Sequence, residues 1–272
     1  MGNRRLGRRR LKSVMQQNFS STDEWGFIRP PMVPGLERSK RVIALGEQHG
    51  FGFEDAADLP ADGTTTSTWV REDENSAAIA LVGNDADFTD GCLKLTAGNA
   101  TDDAVGFAAA NPNLLSFTSG KQWWIETSIK LGDHDNCEFF FGVSEATFAH
   151  GINFATVGAG AGADKTGFRK GTHNDDTLGL VSSLNAAEVT ADPSIEYDAD
   201  NDVLTMGIHW DGVGTVDFYA ANSATGTEAG AMTKVGSLST YSDQSVGPHV
   251  QVISTGGDMV TLVNYIRVCW EI

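Results

Sequence analysis

Apolar and polar residues alternate along several short segments of this chain. In the clearest segment, residues 123–131, Trp123 and Ile129 fall on one face of an extended chain, and Glu126 and Lys130 fall on the other. A period of two residues predicts a β-strand with one face buried. Similar short runs predict further strands at residues 92–95, 138–143, 204–210, 215–219 and 259–270.

Turn sequences connect two pairs of these predicted strands. Gly132–Asn136 separates the strand at 123–131 from the one at 138–143, and Asp211–Gly214 separates 204–210 from 215–219. Short polar, glycine-containing connections between alternating segments are typical of β-hairpins. We therefore expect both pairs to form hairpins, the first of them with a longer loop.

The final predicted strand, residues 259–270, alternates as well. Leu262, Ile266 and Val268 are expected on one face, and Val263 on the other. A chain that ends in an apolar strand generally has that end tied into a sheet.

Many short strands separated by turns, with few amphipathic helical stretches, indicate an all-β protein. We predict a two-sheet antiparallel jelly-roll sandwich over residues 51–272. Residues 1–50 are interpreted as an extended basic N-terminal arm and linker. The segment Arg29–Gly35 contains three prolines, which cannot continue a helix or a central strand.

The order of these segments resembles that of a known family. The similarity rests on Gly91–Leu95, Gly120–Lys130, Phe139–Val143, Gly167–Lys170, His209–Gly212 and Asn264–Val268. Together they resemble the concanavalin A-like (lectin/glucanase) jelly rolls encoded in structural-gene clusters of tailed bacteriophages, and the opening residues resemble the starts of marine phage virion proteins. The resemblance implies a virion component made in the host cytoplasm, above all a capsid decoration or cement protein.

Charge is divided unevenly along the chain. Residues 1–41 carry ten Lys/Arg and three Asp/Glu, a net charge of +7, whereas residues 42–272 carry nine Lys/Arg and thirty-three Asp/Glu, a net charge of −24. A cationic arm on an anionic body indicates attachment to a negatively charged partner. The candidate binding residues of the arm are Arg4, Arg5, Arg8, Arg9, Arg10 and Lys12.

Three interpretations of this arm remain open. Under the resemblance, its partner is the major capsid protein or another virion protein, and self-association into a homo-oligomer is left open. Contact with nucleic acid is disfavoured, because the acidic body would be repelled unless the arm extends beyond a Debye length of about 8–10 Å. The third interpretation is a solvated tail. No apolar run reaches membrane-spanning length, so no membrane association is expected.

No catalytic arrangement is found in the sequence. Glycosidases that retain configuration need two carboxylates about 5 Å apart, and glucanases of this fold carry them two or four residues apart on one strand. At those distances from Glu126 the chain has Ser128 and Lys130. We therefore predict a protein that is not an enzyme, with no catalytic residues and no cofactor.

One acidic run is a weak calcium candidate. Asp198, Asp200 and Asp202 match the start of an EF-hand loop, but Val203 and His209 stand where that loop needs Gly and Glu. A looser calcium site remains open, although acidic turns of this kind are usually solvated. No metal site is predicted.

One aromatic residue is a candidate for contact with a glycan. Trp124 falls on the polar face of its strand, together with Glu126 and Lys130. On that basis its ring is expected to be exposed and able to stack on a sugar, as in the carbohydrate-binding alternative for this fold. That alternative is a lectin-like receptor-binding or tail-fibre module.

Overall fold

The computed structural model of the protein describes most of the predicted body and three short parts of the N-terminal region. The described residues are 21–22, 28–29, 41–45, 69–73, 77–82, 88, 92–98, 103–109, 113–117, 120–132, 136–145, 164–170, 177–184, 187–196, 203–223, 232–239, 245–256 and 259–270. Within these ranges, no helix is long and apolar enough to cross a bilayer.

All the regular elements in these ranges are β-strands, rich in the β-branched and aromatic residues that fit a pleated surface. They are β1 Ser21–Thr22, β2 Ile28–Arg29, β3 Arg41–Leu45, β4 Trp69–Asp73, β5 Ala78–Val82, β6 Cys92–Ala97, β7 Ala104–Ala109, β8 Leu115–Ser116, β9 Trp123–Leu131, β10 Cys137–Ser144, β11 Lys165–Lys170, β12 Thr177–Leu184, β13 Ala187–Glu196, β14 Val203–Trp210, β15 Thr215–Ser223, β16 Thr233–Ser239, β17 Ser245–Ser254 and β18 Met259–Trp270.

Two antiparallel sheets make up the body. Sheet I has the order β13-β12-β11-β10-β17-β7-β4, with β8 also paired to β17. Sheet II has the order β16-β15-β14-β9-β18-β6-β5, with β3 also paired to β18, and β1 and β2 pair separately. The predicted all-β jelly-roll sandwich is confirmed.

The main hydrophobic core lies between the two sheets. Ile125, Ile129 and Leu131 of β9 face it, as the alternation predicted. So do four residues of β14: Leu204, Met206, Ile208 and Trp210. Phe168 of sheet I meets Phe218 of sheet II edge to face, with ring centroids 5.3 Å apart. Such contacts between the inner faces hold the sheets together.

A trio of aromatic side chains closes one end of this core. Phe117 packs edge to face against Trp123 and Trp210, at centroid distances of 5.3 and 5.2 Å. The Trp123 Nε1–H also donates to the Ser116 carbonyl oxygen at 3.1 Å. The connection after β8 is therefore tied to the first residue of β9.

The predicted hairpin of residues 123–131 and 138–143 is wrong. β9 lies in sheet II between β14 and β18, whereas β10 lies in sheet I between β11 and β17. At the end of β9, the Gly132 N–H donates to the Val260 carbonyl oxygen at 2.7 Å, which holds this end against β18. The chain then crosses to the other sheet, since a turn sequence specifies a change of direction but not a pairing partner.

The second predicted hairpin is confirmed. β14 and β15 pair from Val203 with Ser223 to Trp210 with Val216. In the turn, Asp211 Oδ1 accepts bonds from the N–H groups of Val213, Gly214 and Thr215 at 2.7, 2.9 and 3.0 Å. These bonds replace backbone partners that the turn itself cannot supply.

The predicted faces of β18 are partly wrong, because the register of β18 on β9 shifts between Val263 and Tyr265. Val263 therefore lies in the main core together with Ile266 and Val268. Leu262 faces the other way and packs in a smaller cluster with Phe88, Cys92 and Val203. A β-bulge of this kind reverses the alternation beyond it.

Sheet II also extends into the segment that was predicted to be arm and linker. β3 pairs with β18, from Arg41 with Trp270 to Leu45 with Ile266. Residues 41–45 therefore contribute a strand to this sheet, while the boundary at residue 51 stays a prediction.

Candidate functional site

A layer of aromatic side chains covers part of the outer face of sheet II. Gly207 of β14 pairs with Glu126 of β9, and a Cβ atom at Gly207 would lie only 2.4 Å from Cζ2 of Trp124. The indole therefore occupies the space that any larger residue at position 207 would need. The Tyr219 ring then tilts against Trp124, with centroids 5.4 Å apart.

The prediction that Trp124 is exposed is wrong. Its side chain is fully buried, and its Nε1–H donates to Glu126 Oε2 at 2.8 Å. The alternation correctly placed Trp124 on the outer face. It could not show that a glycine on the neighbouring strand lets the ring lie down on the sheet. Direct stacking of Trp124 on a sugar has no support in this geometry.

Glu126 belongs to the same buried layer. Burial raises the pKa of Glu126 to about 7, and the hydrogen bond from Trp124 offsets only part of that effect. Ser128 and Lys130 follow on this face of β9, so the strand carries no second carboxylate at glucanase spacing. The carboxyl group acts here as a hydrogen-bond acceptor within the packed layer.

Next to this layer, the outer face becomes polar and partly open. Asp217 Oδ1 accepts hydrogen bonds from Lys234 Nζ at 2.7 Å and Ser237 Oγ at 2.8 Å. The side chains of Lys234 and Asp217 are 47 % and 18 % exposed, and Tyr219 is half-buried beside them. We call Asp217, Tyr219, Lys234 and Ser237 the outer patch.

A β-bulge produces the geometry of the outer patch. Asp217 pairs with Ser237 in regular register, but Tyr219 pairs with Lys234 because the register shifts after Phe218. The extra residue on β16 turns Lys234 onto the same face as Asp217. Bulges commonly redirect a side chain in this way beside functional sites.

His209 and Gln122 border the outer patch. His209 pairs with Asp217 across β14 and β15, and its Nε2 lies 3.1 Å from Gln122 Oε1. Burial lowers the pKa of His209 to about 4, although Asp217 and Asp211 act against that shift. The ring is therefore neutral at pH 7.

The Tyr219 phenol also stays protonated at neutral pH. Burial raises the pKa of Tyr219, and the nearby Asp217 carboxylate raises it further. Its ring and its O–H donor are both retained under physiological conditions.

The outer face of sheet I carries a different arrangement. Ser144 Oγ and His249 Nδ1 are 2.9 Å apart, and the Phe140 ring meets His249 edge to face at 5.8 Å. Lys165 pairs with Ser144 on the next strand. All four side chains are buried. We call Phe140, Ser144, Lys165 and His249 the sealed cluster.

Two facing glycines let Phe140 close over this sheet. A Cβ atom at Gly142 would lie 2.2 Å from the Thr166 carbonyl oxygen and 2.8 Å from Cζ of Phe140. A Cβ atom at Gly167 would lie 2.8 Å from Cε2 of the same ring. The two strands and the ring therefore approach more closely than side chains at either position would allow.

The sealed cluster is poorly suited to nucleophilic catalysis. A serine nucleophile must be reached by substrate, and Ser144 is only 1 % exposed. Burial lowers the pKa of His249 to about 3, and the charge of Lys165 lowers it too. Such an imidazole is a weak base at neutral pH. The pair is therefore a buried hydrogen bond that stabilises the sheet.

Several predicted site residues fall outside the part of the chain that the structure describes. They are Arg4, Arg5, Arg8, Arg9, Arg10 and Lys12 of the arm, and Asp198, Asp200 and Asp202 of the calcium candidate. Among the residues it does describe, there is no group of three or more His, Cys, Asp and Glu side chains that could hold a metal ion.

The sequence analysis did not predict the outer patch, although part of its arrangement could have been predicted. Once the Asp211–Gly214 turn is accepted, the hairpin places His209 opposite Asp217. The approach of Lys234 depends on the bulge in β16, for which the alternation of residues gives no signal.

Comparison with known proteins shows similarity of fold. No family model and no curated protein matches the sequence. Peanut lectin matches with a TM-score of 0.52 and 14 % identity, over 85 % of this chain and 98 % of the lectin. Lectin II from Ulex europaeus matches with a TM-score of 0.51 and 10 % identity, over 86 % and 100 %.

A protein of unknown function from Shewanella oneidensis also matches, with a TM-score of 0.52 and 7 % identity, over 89 % of this chain and 90 % of that protein. Lectins and a glycoside hydrolase family protein are among the similar structures, the hydrolase at a TM-score of only 0.45. The body therefore has the concanavalin A-like lectin fold. The implied place in a phage virion remains a prediction.

Proposed function

We propose that this protein is a non-enzymatic structural component of a tailed-phage virion, a decoration or cement protein on the capsid surface. Its basic N-terminal arm binds the shell, and its jelly roll faces outward. The observation that carries the proposal is the division of charge, +7 in residues 1–41 against −24 in the rest. The sequence resemblance to phage structural proteins supports the same assignment.

The chemistry of the arm suits a protein surface rich in carboxylates. Guanidinium groups form paired hydrogen bonds with carboxylates, and five of the six basic residues in the first twelve positions are arginines. Several such bonds must break together before the arm is released, which slows dissociation. The acidic body meanwhile repels neighbouring copies and keeps them apart.

The geometry of the body supports a role without catalysis. Glu126 is buried and bonded to Trp124, and the Ser144–His249 pair is sealed from solvent. Neither group is presented to a substrate in the described part of the chain.

The proposal can be tested with the full-length chain. In one variant, Arg4, Arg5, Arg8, Arg9, Arg10 and Lys12 are replaced by Gln. In the matched control the arginines become Lys and Lys12 becomes Arg, which keeps the charge. Both are mixed with purified, undecorated phage shells and sedimented.

We expect the Gln variant to lose binding. The charge-keeping control should still bind, but more weakly than the native chain, because Lys cannot form the paired bonds of Arg. Circular dichroism should be unchanged for both. Undiminished binding of the Gln variant would contradict the proposal. If the native arm binds duplex DNA but not shells, with affinity that falls steeply with salt, nucleic acid is the partner instead.

A second candidate function is carbohydrate binding. It is favoured by the outer patch, where the half-buried Tyr219 lies beside the hydrogen-bonded Asp217, and by the lectins among the similar folds. A glycan array with the full-length chain, with and without calcium, tests it. The absence of any bound glycan under both conditions would contradict it.

A further inference from the structure

We infer that the outer patch is a binding surface for a neutral oligosaccharide, with Tyr219 against a sugar ring and Asp217, Lys234 and Ser237 on its hydroxyls. This assignment rests on the carbohydrate-binding candidate above and places its site on β15 and β16. The oligosaccharide site does not involve the N-terminal arm, so the sugar-binding proposal and the shell-binding proposal can fail separately.

The chemistry of the patch matches that of a pyranose. A sugar ring presents an apolar C–H face and an edge of hydroxyls that both donate and accept. Tyr219 offers a rigid aromatic surface with a hydroxyl that is protonated at neutral pH. Asp217 offers a hydrogen-bond acceptor. Ser237 and Lys234 offer donors on the adjacent strand, where they pair with Asp217 and Tyr219.

The charges of the patch indicate that the sugar is neutral. Asp217 and Lys234 form an ion pair with a 2.7 Å separation, so the two charges balance locally. His209 at the border is neutral because its pKa lies at about 4. A sialylated or sulfated glycan would find no unbalanced cation among these residues, and it would also meet the strongly acidic body.

The patch is held in place before any ligand arrives. Asp217 is fixed by its two hydrogen bonds, and the bulge in β16 sets the direction of Lys234. Tyr219 rests on Trp124, which in turn lies over Gly207. Side chains that are already ordered lose less conformational entropy when a ligand binds.

The position of the patch also leaves room for a ligand longer than one sugar. Among the strands that the structure describes, β16 is the end strand of sheet II. Its residues Thr233, Lys234, Ser237 and Ser239 are exposed. A chain of several sugars can therefore lie along the strand without having to fit a closed cavity. We expect weak binding, because a flat surface buries little of a ligand.

The test uses the full-length chain and four neutral tetrasaccharides: cellotetraose, chitotetraose, mannotetraose and galactotetraose. Each is titrated by calorimetry into the native protein and into Tyr219→Ala, Tyr219→Phe, Asp217→Asn and Val213→Ala. Val213 is 82 % exposed in the β14–β15 turn, outside the patch, so Val213→Ala is the matched control.

We expect at least one tetrasaccharide to bind the native protein. Loss of the ring in Tyr219→Ala weakens binding by about tenfold or more, whereas Tyr219→Phe keeps it within about twofold. Asp217→Asn weakens binding by about fivefold, and Val213→Ala leaves it unchanged. The assignment is overturned if no tetrasaccharide binds the native protein, or if correctly folded Tyr219→Ala binds as tightly as the native protein.

Discussion

The outer faces of the two sheets differ in how far their polar side chains are exposed to solvent. On sheet I, Ser144 and His249 are 1 % and 0 % exposed and bond to each other. On sheet II, the Asp217 and Lys234 side chains are 18 % and 47 % exposed, although they too are bonded. Both faces contain polar side chains of the kinds found in functional sites. Of these two groups of side chains, only the outer patch is open to solvent, so residue type alone does not identify a site.

Glycines account for much of this contrast. The facing pair Gly142 and Gly167 lets Phe140 close over sheet I, and Gly207 lets Trp124 close over the centre of sheet II. Between β15 and β16, a β-bulge rather than a glycine determines the geometry, and it turns Lys234 outward. The sealed cluster should therefore govern stability, whereas the outer patch should tolerate substitution.

The largest effect is expected from Gly142→Ala. The new Cβ would lie 2.2 Å from the carbonyl oxygen of Thr166 on the adjacent strand, and a backbone atom in a sheet cannot move aside cheaply. We predict loss of cooperative folding, measured by urea denaturation. The matched control is Gly179→Ala, whose nearest atoms would be 3.8 Å away. A Gly142→Ala protein as stable as this control would contradict the account of the sealed face.

Acid should next test how deeply the two outer-face histidines are buried. The pKa values of His249 and His209 are depressed in the folded state, to about 3 and about 4, from 6.5. The stability they contribute is present above pH 6.5 and is lost as the pH falls through those values. NMR titration of the ring protons should show His249 still neutral at pH 4.5. Titration of His249 near pH 6.5 in folded protein would show that the cluster is open.

The contribution of Glu126 to stability depends on pH in the opposite direction. Its folded pKa is raised to about 7 from 4.5, so its contribution to stability is present below pH 4.5 and is lost as the pH rises through 7. The variant Glu126→Gln should be more stable than the native protein at pH 8, by on the order of 3 kcal/mol. At pH 4 the two should be nearly equal. Urea denaturation at both pH values checks this, and equal stability at pH 8 would contradict a raised pKa for Glu126 in the folded protein.

A smaller effect is expected at the turn that supports the outer patch. Burial opposes ionisation of Asp211, but three backbone N–H bonds outweigh it and lower its pKa. Asp211→Ala should destabilise the protein by about 1–2 kcal/mol through the loss of these bonds. Thermal unfolding of this variant beside Val213→Ala separates the effect of the carboxylate from that of the turn itself. Equal melting temperatures for the two would contradict it.

The fold class and six strands could be predicted from the sequence, because alternation of apolar and polar residues reports burial directly. These strands are β6, β9, β10, β14, β15 and β18. The core faces of β9 and β14 and the hairpin of β14 with β15 followed from the alternation. Pairing between distant strands did not follow, which is why β9 and β10 were wrongly joined. The faces of β18 were partly mispredicted because a bulge lies after Val263. A single extra residue in a strand leaves no signal in the local composition.

The candidate site was harder to predict than the fold. Trp124 was placed on the correct face but with the wrong exposure, because its burial depends on Gly207 of another strand. Lys234 reaches Asp217 only through a register shift. Both features arise from contacts between strands, and such contacts become visible only when the sheet is assembled.

The most direct test of the proposed attachment is cryo-electron microscopy of phage shells incubated with the full-length chain. We predict jelly-roll density on the outer surface of the shell, joined to it by the N-terminal segment that contains Arg4 to Lys12, with the outer patch turned to solvent. Shells that carry no such density, or density that touches the shell through β15 and β16, would contradict the account.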